Sequence, residues 1–384
     1  MKILTAGGGS GGHVTPIAAV ISEIIKEEPK AEIRCWTDFK FYKPAKRILS
    51  NSSRKVKTTR IVSGKLRRYN GFGVTTYIKN PSIIILNIRD GFLVAVGFVQ
   101  CLIKLLLWRP DVIFLKGGYV CLPIGLVARL FNIPFVIHDS DTVPGLTNRI
   151  LAQYASRIAT GMPLENYSYP DNKTFYIGIP TSDNLHPISS KEQSSLKTKF
   201  GLNPKKPVVL VTGGGLGAMN INEAILKNAD ELLAMTSIIL ITGIDNYQSV
   251  KQQFGHKHDQ DLKLYDFVPN GLREFLGVAD IVIARAGATS IAELAICQKT
   301  VIMIPNAQLP GGHQSKNAEY LTKKRAVLAI SDDEICKSDI LTKTISKLLK
   351  DKDLADRLAV NLNSLSRPDA ARDMAKLVLD TIRR

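Results

Sequence analysis

The sequence predicts an α/β protein made of two similar halves, each a parallel sheet covered by helices on both faces. Three observations carry that prediction. The 384 residues are enough for two domains. Strand-like apolar runs alternate with helix-spaced ones in a βαβα rhythm. After a polar stretch the rhythm restarts on a second glycine-rich turn. The composition, 45% hydrophobic and 22% charged, suits a globular chain with two cores. Five cysteines (Cys35, Cys101, Cys121, Cys297, Cys336) are scattered without a C-x-x-C pair, which predicts free thiols in a reducing, cytoplasmic compartment and argues against structural zinc. The glycines that break the first apolar run predict that it is no signal peptide.

The first element, "KILTA", has the length and type of a buried strand. "VTPIAAVISEIIKEE" then repeats apolar residues at helical spacing (Val14, Ile17, Ala18, Ile21, Ile24, Ile25), so Gly7 to Gly12 form a strand-to-helix turn. Such a turn presents bare amides at a helix start, a natural seat for a phosphate or polar sugar, or it is simply a tight turn. Gly7, Gly9 and Gly12 also spell G-x-G-x-x-G, and Asp38 closes the next strand "AEIRCWTD", where a dinucleotide-binding domain holds a ribose. The loop alone leaves these readings open.

The net charge of +17 lies mostly in the first half: residues 1–160 carry 23 Lys and Arg against 9 Asp and Glu. Between Asp38 and Asp90 stand 13 basic residues, Lys65, Arg67 and Arg68 among them, and no acidic one. That field attracts a polyanion, either nucleic acid or anionic lipid. The very apolar 81–108 stretch follows, interrupted by Arg89, Asp90 and Lys104. It fits a helix lying in a membrane interface, with Phe92 and Leu93 inserted, better than a spanning one. The alternative is a core helix under a solvated basic face.

Strands "PDVIFLK" and "IPFVIHD" then alternate with helices "YVCLPIGLVARLFN" and "GLTNRILAQYA", and the Pro-, Asn- and Ser-rich 162–191 stretch reads as a linker. The second half opens with "PVVLVT" and the turn "GGGLGAMN", continues with strands near 237–242, 262–268, 280–284 and 300–305, and ends on an amphipathic helix led by Pro368. Within it, "RAGATSIAEL" runs from a small-residue turn into a helix. Ala286, Gly287 and Ala288 allow close approach of a ligand, Thr289 and Ser290 can cap the helix and donate to a pyrophosphate, and Glu293 can accept both hydroxyls of a ribose. Without that turn, Glu293 reads as an ordinary surface acid.

"GGGSGGHVTP", "KGGYV", "PGLTNRILA", "TGGGLGAMNIN", "RAGATSIAEL" and "HQSKNA", in this order across most of the chain, resemble the MurG family. The resemblance implies the GT-B architecture: two Rossmann-like domains facing across a cleft, residues 1–163 and 164–367, with the C-terminal helix 368–384 crossing back to the first. It implies inverting, metal-independent transfer of GlcNAc from UDP-GlcNAc to the C4 hydroxyl of MurNAc in undecaprenyl-linked lipid I, giving lipid II. No cofactor is implied. The expected partners are UDP-GlcNAc, lipid I and the anionic cytoplasmic face of the cell membrane, where the enzyme is peripheral; nucleic acid is not one.

Carried over by position, the resemblance puts His13 at the reacting centre, as the base or as an orienting contact. Ser10, Gly11 and Gly12 touch the donor. Ala288, Thr289, Ser290, Ile291, Ala292 and Glu293 hold its pyrophosphate and ribose, Gln314 its GlcNAc hydroxyls, and Asp141, Gly215, Leu216 and Val268 complete the substrate contacts. The chain departs from the family pattern in three places: Asp141 replaces an amide in "HDSD", Ser182 in "GIPTS" stands where an arginine is usual, and Gly215 replaces a serine. The 65–110 region is also longer and more apolar. "HDSD" contains the D-x-D metal signature of the other glycosyltransferase fold, but that fold has one nucleotide domain. A dehydrogenase leaves Glu293 without a role, and a nonenzymatic membrane- or nucleic-acid-binding protein leaves the double fold unexplained.

Overall fold

A computed structural model describes residues 1–9, 11–50, 56–65, 81–214, 217–255, 260–268, 272–309, 312–337 and 339–382. Contacts divide the chain into two units. The first comprises Met1–Asp183, Gln308–His313 and Arg367–Arg384. Its seven strands are β1 (Lys2–Gly7), β2 (Glu32–Thr37), β3 (Lys57–Arg60), β4 (Val112–Gly117), β5 (Phe135–Asp139), β6 (Arg157–Thr160) and β7 (Thr174–Tyr176), in the order β3-β2-β1-β4-β5-β6-β7. All pairs are parallel, with Thr5 opposite Cys35 on one side and Phe114 on the other.

Strand alternation sorts the core. Ile3, Val112, Phe114 and Val136 face one layer, while Leu4, Ile113, Leu115, Phe135 and Ile137 face the other. The first layer is closed by the Gly11–Glu27 helix and by the last helix, Ala370–Ile382, whose Met374, Ala375 and Val378 pack against Ile17, Ile21 and Phe114. Burying each large side chain there contributes about 1.5–3 kcal/mol. The crossing helix implied by the resemblance is therefore present. It begins at Ala370, with Pro368 in the turn before it. The first unit also runs past the boundary expected at 163: Thr174 pairs with Ile158 as β7 extends the sheet, and the division falls after Asp183. A stretch rich in Pro and Asn still pairs its backbone groups where a buried sheet edge offers partners.

The second unit comprises Asn184–Ala307 and Gln314–Ser366. Its strands are β8 (Val208–Thr212), β9 (Ser237–Ile241), β10 (Leu262–Tyr265), β11 (Ile281–Ala284), β12 (Thr300–Met303) and β13 (Leu328–Ala329), all parallel, in the order β10-β9-β8-β11-β12-β13. Each sheet thus reverses direction of growth beside its first strand, between β1 and β4 and between β8 and β11. Ligands of open α/β sheets bind beyond the carboxyl ends of strands at that reversal.

Candidate active site

In the first unit, two glycine turns leave the sheet side by side, one after β1 and one after β4. They approach so closely that a Cβ on Gly118, whose φ is +87°, meets the carbonyl oxygen of Gly8. The first turn is fixed by Asp38: Gly9 N donates to Oδ2 at 2.6 Å, and Phe41 N donates to Oδ1 at 3.0 Å. Asp38 is buried, and both carboxylate oxygens are committed to main chain. This corrects the dinucleotide reading, in which that carboxylate takes a ribose.

His13 stands in the first turn of the Gly11–Glu27 helix with its ring over Gly117. A Cβ at Gly117 would lie 3.5 Å from Cε1 and 3.6 Å from Nδ1. Nδ1 is buried without a hydrogen-bond partner among the described residues. Burial, and then the Lys116 ammonium, lower the His13 pKa to about 3, so the ring is neutral. Lys116, 1% exposed, bonds Ser140 Oγ. Burial pulls its pKa down to about 8, against the opposing fields of Asp141 and Asp139. His138 Nε2 donates to the Gly178 carbonyl at 2.7 Å, which fixes its tautomer. Asp139 accepts from Tyr169 Oη at 2.8 Å and Gly145 N at 3.2 Å, and burial raises its pKa to about 7. Asn148 donates through Nδ2, the atom beside Gly117, to the His138 carbonyl at 3.0 Å, while its Oδ1 is buried without a partner among the described residues. His13 Nδ1 and Asn148 Oδ1, on two side chains beside Gly117, are thus buried polar atoms without a partner among the described residues, and a sugar hydroxyl, which both donates and accepts, suits them.

In the second unit the turn after β8 contains Gly214 and Gly217 at φ +78° and +74°. A Cβ at Gly217 would meet the Thr242 carbonyl oxygen. After β11, Gly287 is the N-cap of the helix Ala288–Ile296, and no side chain caps it. The capping expected of Thr289 and Ser290 is therefore not made. Both residues lie inside the first turn, past the position from which a side chain reaches back to the leading amides. The turn is held from below by Asn317 Nδ2, which donates to the Ala286 carbonyl at 3.0 Å. Arg285 bonds Asp332 at 2.6 Å, and Asp332 in turn accepts from Asn220 Nδ2 at 2.9 Å, tying the turn after β11 and the Met219–Lys227 helix to one carboxylate. Glu293 is half-buried, and desolvation alone raises its pKa to about 7. Gln314 Oε1 accepts from Asn306 N at 2.9 Å, which leaves its amide to donate. Val268 follows β10, packed against the core.

The chain matches the glycosyltransferase family 28 N-terminal domain over residues 3–160 and the C-terminal domain of the same family over 208–374. A Bacillus pumilus relative named UDP-N-acetylglucosamine–N-acetylmuramyl-(pentapeptide) pyrophosphoryl-undecaprenol N-acetylglucosamine transferase is 30% identical over 373 residues, 97% of this chain and 96% of its own. The chain belongs to the MurG family. A Halalkalibacterium halodurans relative of the same name is 29% identical over 98% of this MurG-family chain and 99% of its own length. Among solved structures, Acinetobacter baumannii MurG superposes with a TM-score of 0.70 at 20% identity, covering 99% of each chain. A Neisseria meningitidis UDP-GlcNAc 2-epimerase does so at 0.67 and 14% identity, covering 99% of this chain and 100% of its own. The fold is that of GT-B proteins.

Of the residues that the MurG resemblance singled out, Ser10, Gly215 and Leu216 lie outside the described residues, as do Arg67 and Arg68 of the basic run. His13 and Asp141 come together around Lys116, and residues 288–293 share one helix. Gly11 opens the first helix and Gly12 is exposed on it. Lys65 and Phe92 are exposed, Leu93 half-buried. The helix Pro81–Leu107 buries Asp90, Gly97, Cys101 and Leu105, and exposes Ile84, Ile88, Phe92, Val96, Val99 and Ile103 along a stripe of helical spacing. Its Ile84–Leu107 portion is long and apolar enough to cross a membrane by length and composition. The sequence reading missed Lys116, Asn148, Asn317 and Asp332. Lys116 had a signal, a charge inside an otherwise apolar strand. The two asparagines and Asp332 acquire their roles only through distant packing.

Proposed function

We infer that this MurG-family protein transfers GlcNAc from UDP-GlcNAc to the C4 hydroxyl of MurNAc in undecaprenyl-pyrophosphoryl lipid I, with inversion and without a metal, forming lipid II. One observation carries the inference: relatives named for that transfer match the sequence from end to end at 29% and 30% identity, whereas the epimerase shares the fold of both units at 14%. In this reading the second unit binds the donor. The helix start at Ala288 and the amides of Gly213, Gly214 and Gly217 stabilise the departing UDP. Thr289 and Ser290 donate to its pyrophosphate, Glu293 accepts the ribose hydroxyls, and Gln314 donates to GlcNAc. The first unit receives the acceptor sugar, with His13 Nδ1 facing its hydroxyl.

A ring whose pKa is about 3 is a weak base, and this favours His13 as the hydrogen-bond acceptor that orients the nucleophile. The protein works at the cytoplasmic face of the membrane as a peripheral enzyme, because its acceptor is anchored in the bilayer; the exposed apolar stripe and Lys65 support this.

The test is incubation with radiolabelled UDP-GlcNAc and lipid I, with lipid II as the expected product. Release of the 2-epimer of UDP-GlcNAc without acceptor transfer overturns the inference, and loss of activity in EDTA with recovery in Mn²⁺ restores the Asp139/Asp141 metal reading. His13→Ala lowers kcat by roughly 10²-fold or more if His13 is the base, and by less if it orients. An acidic limb of kcat/KM that survives in this variant belongs to another group.

A further inference from the structure

A lysine with its ammonium sealed inside a sheet needs a reason, because a methionine of the same length fills that space without a charge to desolvate. Lys116 is the next-to-last residue of β4, a strand buried along its whole length, and only 1% of it is exposed. Its Nζ reaches across to the end of β5 and bonds Ser140 Oγ, the residue between Asp139 and Asp141. Ser140 Oγ lies 3.5 Å from His138 Nδ1. The residue after Lys116 is Gly117, over which the His13 ring rests. The groups facing this ammonium are Asp141 beyond β5, Asp139 at its end and the Cys121 thiol at the start of the next helix. His13 on the first helix and His138 on β5 both feel its charge.

We propose that Lys116 is a positioning residue of the first unit's site: its buried ammonium balances the carboxylates of Asp139 and Asp141 and holds the 139–141 turn against the His13 ring. The charge does two things at once. It draws in the turn that carries Asp141, and its repulsion adds to burial in keeping the imidazole neutral, the form that accepts a hydrogen bond from a hydroxyl. A purely structural lysine accounts for the first effect and not the second. The proposal rests on the lipid II reading only for its kinetic arm.

Four proteins decide it: the parent, Lys116→Met, Asp141→Asn, and K116M/D141N. The first readout is the His13 titration by NMR of histidine-labelled protein, its signal assigned among the six histidines by its loss in His13→Gln. K116M moves the midpoint up by about one pH unit or more, because a positive neighbour is lost while two negative ones remain. The double variant moves it part of the way back. The second readout is lipid II synthesis. K116M lowers kcat about tenfold with the donor KM within about twofold, and adding D141N recovers most of that loss, so the two substitutions are strongly non-additive. An unmoved His13 midpoint in K116M, or additive effects on kcat, overturns the proposal. If K116M does not fold, a double variant that folds supplies the rescue that charge balance requires, and a double variant equally unfolded overturns it. A parent that makes no lipid II overturns the functional reading instead, and the NMR arm still decides the role of Lys116.

Discussion

Substituting Glu293 by glutamine tests the donor site through protons. Desolvation raises this carboxyl from an ordinary 4.5 to about 7, with no positive neighbour to offset it. At pH 7 about half of the unliganded protein therefore carries a protonated Glu293. Ribose hydroxyls donate, and two such bonds favour the ionised carboxylate, returning it toward 4.5 in the complex. Binding then releases about half a proton per UDP-GlcNAc at pH 7, and nearly one at pH 6. Affinity falls about thirtyfold from pH 8 to pH 5.5, since the ionised fraction falls from about nine-tenths to about three-hundredths. The esterified diphosphate of UDP-GlcNAc does not titrate in that window, so the slope belongs to the protein. Calorimetry in buffers of different ionisation enthalpy measures the proton count directly. Glu293→Gln flattens the profile and abolishes the release. The sign of the stability effect is opposite: the native state holds the extra proton between pH 4.5 and 7, so unliganded stability falls as pH rises through that window, by up to about 3 kcal/mol, and the glutamine variant is spared it. Parent affinity that is flat from pH 5.5 to 8, with no proton released, refutes the ribose role of Glu293.

Two further predictions concern the first unit. Gly118→Ala, which combines a left-handed φ with a Cβ forced into the Gly8 carbonyl, destabilises the unit by about 2 kcal/mol or more and lowers its melting temperature; an unchanged melting temperature shows that the two turns are not packed backbone to backbone. In flotation with anionic vesicles, reversing the charge of Lys65, Arg67 and Arg68 weakens binding mainly at low salt, at about 1 kcal/mol per charge, whereas Phe92→Ser with Leu93→Ser removes a salt-resistant part. If neither variant binds less, the exposed stripe on the Pro81–Leu107 helix faces water.

The doubly repeated βαβ order was legible because fully buried parallel strands leave continuous apolar runs, each bounded by a turn signal. The short strand β7 was not. "TFY" is too short to show a period, and it pairs only because β6 offers an open edge. Thr289 and Ser290 read as caps by residue type, yet Gly287, in an extended conformation, occupies the N-cap and leaves both inside the first turn. Lys116 was passed over for a related reason. A lysine closing a strand is normally at the surface, and only the position of Ser140, fixed by the pairing of β4 with β5, shows where this one ends.

The pair Asp38 and Glu293 explains why a glycine-loop motif underdetermines its ligand. Both acids stand near a glycine-rich turn at the carboxyl end of a parallel strand, and both fit the ribose contact of a nucleotide domain. The motif encodes the turn, since glycines are required where two main chains touch, as at Gly8 and Gly118. Ligand identity depends on what remains unsatisfied after the turn has formed. Asp38 has its oxygens taken by Gly9 N and Phe41 N, so a ribose there would have to displace hydrogen bonds that hold the loop. Glu293 bears the desolvation cost without a hydrogen-bond donor among the described residues, and a bound hydroxyl pair relieves that cost. The same reasoning selects His13 Nδ1 and Asn148 Oδ1 in the first unit, two buried polar atoms left without a partner among the described residues, on side chains that stand beside Gly117.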